Sequence, residues 1–251
     1  MGLEVKELML FYENMLAINN VSLKCEDGQI VGIFGANSAG KSSLMYAVSG
    51  LILDIQKKEA MKGAERITVL GEITFNGEVI TTLKPSDRAR RGVVLCPERR
   101  RIFTESSAME NLKIGGYLAT QEQAKKTLDY IFSIFPPLAD VKIQKRAGGF
   151  LSGGQQQMLA VGRALMAQPK LLLLDEPLLG LSPAIQAALV EAVKQIRDET
   201  GISVIITEQY ARPILPIIDY GYIIENGSLV LGGTREELVA NPDVHAAYFG
   251  L

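Results

Sequence analysis

The chain runs to 251 residues, enough to bury one large core, and 47% of them are hydrophobic, with no tryptophan. Its 26 basic and 28 acidic residues leave a formal charge of −2, a balance that excludes a general nucleic-acid binder or a protein held to anionic lipid by charge alone. Cys25 and Cys96 fall in apolar strand-like runs and predict buried free thiols in a reducing compartment. No apolar run nears the roughly 18 residues of a membrane span and no leader-like segment opens the chain, so a cytoplasmic protein is expected.

Residues 3–12 alternate loosely up to Phe11-Tyr12 and read as a strand; Asn19 to Lys24 reads as a second. Glu26-Asp27-Gly28 reads as a hairpin turn into a third, Gln29 to Phe34. Tyr12 fits two roles at this point: an aromatic face folded over a bound base, or a half-buried strand tyrosine. Next comes Gly35-Ala36-Asn37-Ser38-Ala39-Gly40-Lys41-Ser42, a Gly, four residues, then Gly-Lys-Ser, set between an apolar strand and a helix closed by Gly50. A strand turning through glycines into a helix start aims backbone N–H groups and the positive end of the helix dipole at one point. A triphosphate carries its charge in that shape, with Lys41 reaching the outer phosphates and the Ser42 hydroxyl ligating magnesium.

Residues 53–66 are charged and read as a solvated surface excursion without chemistry. Ile67 to Phe75 reads as a strand, Asn76-Gly77 as a hairpin turn, Ser86 as the start of a short helix, and Gly92 to Cys96 as another apolar strand. Beyond Pro97 the pattern changes to capped helices: Ser107…Glu110 and Thr120…Gln123 are capping boxes, and Gly115-Gly116 and Pro136-Pro137 are stops. This all-helical insert, about 98–150, falls between two core strands and is expected to form a separate lobe. A further helix starts at Leu151-Ser152-Gly153-Gly154-Gln155 and runs to Pro169. Leu171-Leu-Leu-Leu-Asp175-Glu176-Pro177 then reads as a strand buried on both faces, its charged end at the edge of the sheet where ligands of parallel α/β proteins bind. Ser182-Pro183 opens a long helix to Gly201, Ile202 to Thr207 is a core strand ending in Glu208-Gln209, Asn226-Gly227 turns a hairpin, and Thr234…Glu237 caps the closing helices.

Magnesium on phosphates needs a carboxylate to hold it or its waters, the role read for Asp175. Glu176, one residue on, is placed to orient and deprotonate the water that attacks a terminal phosphate. Ser152-Gly153-Gly154-Gln155 is a plain capping box, or else a second anion-binding helix tip. Two such tips on separate lobes of one chain cannot easily address one phosphate, whereas two chains head to tail can.

These segments together resemble the ATP-binding-cassette ATPases, and most closely the cassettes of branched-chain amino acid importers, over nearly the whole length apart from 53–66. The residues that carry the likeness are Gly35 to Ser43, Pro97 to Phe103, Leu151 to Leu165, Leu171 to Pro183 and the closing Thr234 to Leu251. The resemblance implies one α/β domain with a RecA-like core sheet (35–52, 92–97, 166–251), an antiparallel β subdomain (1–34, 66–82) and an inserted helical subdomain (98–165). It implies ATP and Mg2+ as ligands, bound by Tyr12, Gly35, Asn37, Ser38, Ala39, Gly40, Lys41, Ser42 and Ser43 of one chain and by Ser152, Gly153, Gly154 and Gln155 of a second cassette, self or related. It assigns Ser42, Asp175 and Glu98 to the metal, and Glu176, Gln209 and Glu98 to hydrolysis. It further implies membrane permease subunits docked on the helical lobe, a substrate-binding protein as an indirect partner, and a place on the cytoplasmic face of the membrane.

Glu98 stands where most cassettes carry glutamine, and Gln209 where most carry histidine. The single histidine, His245, reads as structural or surface. Pro97-Glu98-Arg99-Arg100-Arg101 is either a solvated charged face or a sensor of phosphate or partner at the hinge between lobes. Ser38 replaces a common glycine and is costly if that position needs φ > 0. Two other functions stay open on sequence: a cassette ATPase serving a non-membrane assembly, and an ATP sensor with weak hydrolysis.

Overall fold

A computed structural model of the chain describes residues 2–63 and 66–242. The closing segment around His245 lies outside the described residues. Two sheets organise the rest. β1 (Gly2–Tyr12) and β2 (Met15–Glu26) form a hairpin, and β4 (Ile67–Phe75) and β5 (Glu78–Val79) complete a four-stranded antiparallel sheet in the order β2-β1-β4-β5. β3 (Ile30–Phe34), β6 (Val93–Cys96), β7 (Leu171–Asp175), β8 (Ser203–Glu208), β9 (Tyr220–Glu225) and β10 (Ser228–Thr234) form a second sheet in the order β10-β9-β3-β8-β7-β6. It is parallel except for its β9–β10 edge, a hairpin turned by Asn226-Gly227 with φ of 48° and 79°.

One expected pairing is overturned. Residues 26–28 do turn, but β2 and β3 do not pair; the hairpin expected there joins two different sheets. The burial of each strand gives the reason. β3 is buried at all five positions and fills the middle of the parallel sheet, whereas β2 alternates buried and exposed positions as a one-faced strand does. Residues 30–34, grouped with the antiparallel strands in the sequence reading, therefore sit between β8 and β9.

The helices follow their start and stop signals. α1 (Lys41–Ser49) ends at Gly50, whose φ of 80° is left-handed, and α2 (Leu51–Lys62) begins at once. The expected surface excursion is thus a helix: its Gln, Lys, Glu, Ala and Met residues favour helix, Ile52 is buried, and the Gln56 side chain donates to Ile67 O (2.7 Å). α3 (Pro85–Arg90) precedes β6. α4 (Ala108–Gly115) and α5 (Gln121–Ile134) start on complete capping boxes at Ser107 and Thr120, and the short α6 (Pro136–Ala139) and α7 (Val141–Lys145) lead to α8 (Gly153–Met166). α9 (Pro183–Thr200) links β7 to β8, and α10 (Arg235–Ala240) follows β10.

Apolar residues gather into two cores, one on each side of the parallel sheet. The first joins β1, β2, β4 and α1 to one sheet face through Leu44, Val48, Leu173 and Ile205. The second runs from the other face, Leu172, Leu174 and Ile206, through α8 and α9 into α4 and α5, at Leu112, Ile131 and Leu159. Its continuity means that the helical insert shares its core with the sheet, so the separate lobe expected for 98–150 is packed onto it. Cys25 and Cys96 are buried and free, with burial pushing each thiol up to about 12. Among the described residues no helix is long and apolar enough to cross a membrane.

Candidate nucleotide site

The loop 35–40 leaves the carboxyl end of β3 and enters α1. A side chain at Gly35 would press within 2.4 Å of Ile224 O, and one at Gly40 within 2.6 Å of Ala17 O, where φ is 106°. Gly40 is the N-cap of α1 and supplies no side chain to cap it. No acidic residue occupies the first turn, so its positive end is left to a ligand. Ser38 has φ of 67°, so the serine there does carry the left-handed strain.

Lys41 is 3% exposed and threads back under its own loop. Its ammonium donates to Gly35 O (2.7 Å) and Ala36 O (3.0 Å) and pairs with Glu176 Oε1 at 3.0 Å. The Ser42 hydroxyl donates to Asp175 Oδ1 (3.2 Å), and Thr207 Oγ1 donates to the same oxygen (2.8 Å). Asp175 is 1% exposed, and its Oδ2 is buried without a partner. Burial raises its pKa; the bonds from Thr207 and Ser42 oppose that rise, and the charges of Glu176 and Glu98 add to it. Glu176 sits at φ 46°, its N–H donating to Thr207 O and Thr207 Oγ1, both at 3.1 Å.

A cavity of about 820 Å³ opens over Lys41, Ser42 and Glu176, while Asp175 and Thr207 are buried outside its lining. Asn37, Ser38, Gly40 to Ser43, Glu98, Arg99 and Glu176 line it, together with Tyr12, Met15, Leu16 and Ala17 of the β1–β2 hairpin. Tyr12 OH lies 3.4 Å from Ser43 Oγ, and Met15 and Leu16 are exposed, so the lining joins an apolar patch to the phosphate loop. That is the pairing a nucleotide needs, a surface for the base and donors for the phosphates. Glu98 pairs with Arg99 Nε (3.3 Å) and remains on the wall. Gly35 and Ala39 belong to the loop but are outside the lining.

Two groups of sequence-read residues stay apart from this cavity. Gln209 is outside the lining and its amide lies 3.4 Å from Tyr210 OH. Ser152 to Gln155 open α8, where the Ser152 hydroxyl accepts from Gln155 N (3.3 Å) and the Gln155 side chain accepts from Ser152 N (3.0 Å). The capping-box reading is therefore realised, and the tip does not join the Lys41 cavity of its own chain.

Three residues of consequence carried no clear motif. Thr207 holds both Asp175 and Glu176 from the neighbouring strand. Glu208, 8% exposed, accepts from Leu178 N (2.9 Å) and is pushed up to about 8, chiefly by burial. Arg88, fully buried, donates to Ala47 O and Val48 O at the end of α1 and to Thr81 O and Leu83 O. A charged residue closing an apolar strand was the only sequence signal for Glu208. Arg88 had none.

Fold and site together define a phosphate-loop, nucleotide-binding α/β protein. The family model described as ABC transporter matches residues 18–179. The high-affinity branched-chain amino acid transport ATP-binding protein BraG of Pseudomonas aeruginosa is 38% identical over 99% of this chain and 99% of its own. The probable branched-chain amino acid transport ATP-binding protein LivF of Archaeoglobus fulgidus is 30% identical over 96% and 95%. A solved ATP-binding cassette of an ABC transporter in its ADP conformation superposes with a TM-score of 0.79 at 24% identity, covering 100% of this chain and 99% of that one, a likeness of fold. The chain belongs to the ABC transporter family, and within it is an ABC ATPase, an ATP-binding subunit.

Proposed function

We propose that the chain is the ATP-hydrolysing subunit of an importer of branched-chain or other hydrophobic amino acids, working at the cytoplasmic face of the membrane. The observation that carries this is the meeting of Lys41, Ser42 and Glu176, from the start of α1 and the end of β7, in one cavity, with the buried Asp175 bonded to the Ser42 hydroxyl. The relatives named for branched-chain amino acid transport, matched from end to end, support the substrate class.

In this reading Tyr12 stacks on adenine, and Gly35, Asn37, Ser38, Ala39, Gly40 and Ser43 wrap the phosphates with their backbone. Lys41 exchanges its contact with Glu176 for the outer phosphates, which frees Glu176. The freed carboxylate orients a water and takes its proton as oxygen attacks the terminal phosphorus and ADP departs. The orphaned Asp175 Oδ2 fits a magnesium ion or its waters, as does the Ser42 hydroxyl, with Glu98 near; among the described residues no cluster of three His, Cys, Asp or Glu could hold a metal unaided, so the ion needs phosphate oxygens. Bound there, Mg2+ neutralises charge on the phosphates. Gln209 can hydrogen-bond a terminal phosphate or water once brought near, but takes up no proton.

The tip at Ser152, Gly153, Gly154 and Gln155 serves the nucleotide of a second cassette, self or related, in a head-to-tail pair. Its absence from the chain's own cavity supports that arrangement. The helical portion 98–165 receives the permease subunits; exposed Phe103, Ile114, Tyr117 and Phe150 there suit an apolar partner. A substrate-binding protein acts through the permease. Glu176→Gln tests the reading: ATP binding persists, phosphate release falls by roughly a hundredfold or more, and ATP holds the pair closed. Near-normal turnover by that variant refutes the assignment of Glu176. Purification without any integral membrane partner favours the non-membrane assembly instead.

A further inference from the structure

A second cavity, about 440 Å³, lies between the 99–104 segment and α8, with Arg99, Arg100, Arg101 and Gln156 on its wall and Glu176 at its edge. The three arginines have φ of 61°, 63° and 42°, a left-handed turn that costs about 1 kcal/mol at each non-glycine residue. Contacts hold it. Arg163 Nη2 donates to Arg101 O (2.7 Å), and its guanidinium lies 5.3 Å from the Phe103 ring centre.

The turn lays Arg100 along the start of α8. Its Nη1 donates to Gln156 Oε1 (3.1 Å), and the Gln156 amide is fastened to Gly148 O (3.1 Å) and Leu151 O (3.2 Å). A Cβ at Gly153 would come within 3.2 Å of Arg100 Nη2, so the guanidinium rests directly against the first residue of the helix. Arg99 is paired with Glu98, whereas among the described residues no ion pair engages Arg100. A glutamine, not a carboxylate, holds it.

We propose that Arg100 supplies the full positive charge of the Ser152–Gly154 tip and contacts the terminal phosphate of the ATP bound by the partner cassette. This rests on the head-to-tail reading above. A helix start contributes about half an elementary charge, and the capping box already occupies the N–H groups of Ser152 and Gln155. A guanidinium adds a whole charge and planar donors that match phosphate oxygens. ATP extends one phosphate further than ADP, so a cation on the opposite tip distinguishes the two at the step of association. The loop of Lys41, which binds within one chain, does not need to.

The test uses the purified chain with Glu176→Gln, which holds ATP unhydrolysed, alone and combined with Arg100→Gln or Arg100→Lys. Pair formation in ATP is followed by analytical ultracentrifugation at two salt concentrations, and ADP binding to the single chain by calorimetry. The expected result is association weakened roughly tenfold to a hundredfold in Arg100→Gln, with a flatter salt dependence, partial recovery in Arg100→Lys, and ADP affinity unchanged. Normal association of the Arg100→Gln variant overturns the proposal and leaves the head-to-tail reading standing. An equal loss of ADP affinity also overturns it, since a merely structural staple would disturb both measurements. A Glu176→Gln chain that stays monomeric in ATP overturns the pairing of like chains and, with it, the contact of Arg100 across such a pair.

Discussion

Replacing Glu208 by glutamine isolates the cost of burying one carboxylate beside the site. Glu208 is 8% exposed at the end of β8, and its carboxylate accepts from Leu178 N, in the loop that follows Glu176. Burial is the main cause that lifts its pKa from 4.5 to about 8; the charges of Glu176 and Asp175 add to the rise, and the Leu178 bond and the Lys41 charge oppose it. The unfolded chain releases the Glu208 proton near 4.5, while the folded chain keeps it up to about 8. Between those values the folded state binds more protons, so stability is full below 4.5 and is lost as pH rises toward 8. At about 1.36 kcal/mol per pH unit the loss approaches a ceiling of ~5 kcal/mol. Glutamine keeps the shape and the acceptor for Leu178 N without the charge. Urea unfolding of both proteins across that range, without nucleotide, is expected to show similar stability near pH 5 and a growing advantage for Glu208→Gln up to about pH 8, then a plateau. A difference constant across the range refutes the buried-carboxylate account.

Ser38→Gly removes a left-handed strain of about 1 kcal/mol and returns part of it as unfolded-state entropy, for a net gain of roughly 0.5 kcal/mol in thermal unfolding of the nucleotide-free chain; a loss of stability contradicts the strain at φ 67°. Arg88→Lys cannot span Ala47 O, Val48 O, Thr81 O and Leu83 O at once, and is expected to cost about 3 kcal/mol in denaturant unfolding. An unchanged midpoint there shows that the four carbonyls find other donors.

Much of this architecture was legible because its signals are local. The Gly-Lys-Ser turn, the capping boxes at Ser107, Thr120, Ser152 and Thr234, the Asn-Gly turns and the four-leucine strand each act within a few residues, and each forms the element it announces. The charged run from residue 53 lies at the surface as expected, and its helix-forming composition makes it the helix α2, which polarity alone does not announce.

Read on its own, the sequence marks which residues to propose for chemistry, since the Gly-Lys-Ser loop at 35–43 and the two acids that close the four-leucine strand are patterns of neighbouring residues. Tertiary structure alone decided how they are held. Ser42 and Asp175 lie 133 residues apart and meet only because β3 and β7 flank β8, which also brings Thr207 onto both acids. Pairing of β3 with β8 and β9, rather than with its neighbour β2, follows from burial on both faces, a property of the whole packed chain. So too the charge against Gly153: a run of three arginines looks the same whether it faces water or a helix tip, and the left-handed turn that chooses between them exists only once α8 is packed behind it.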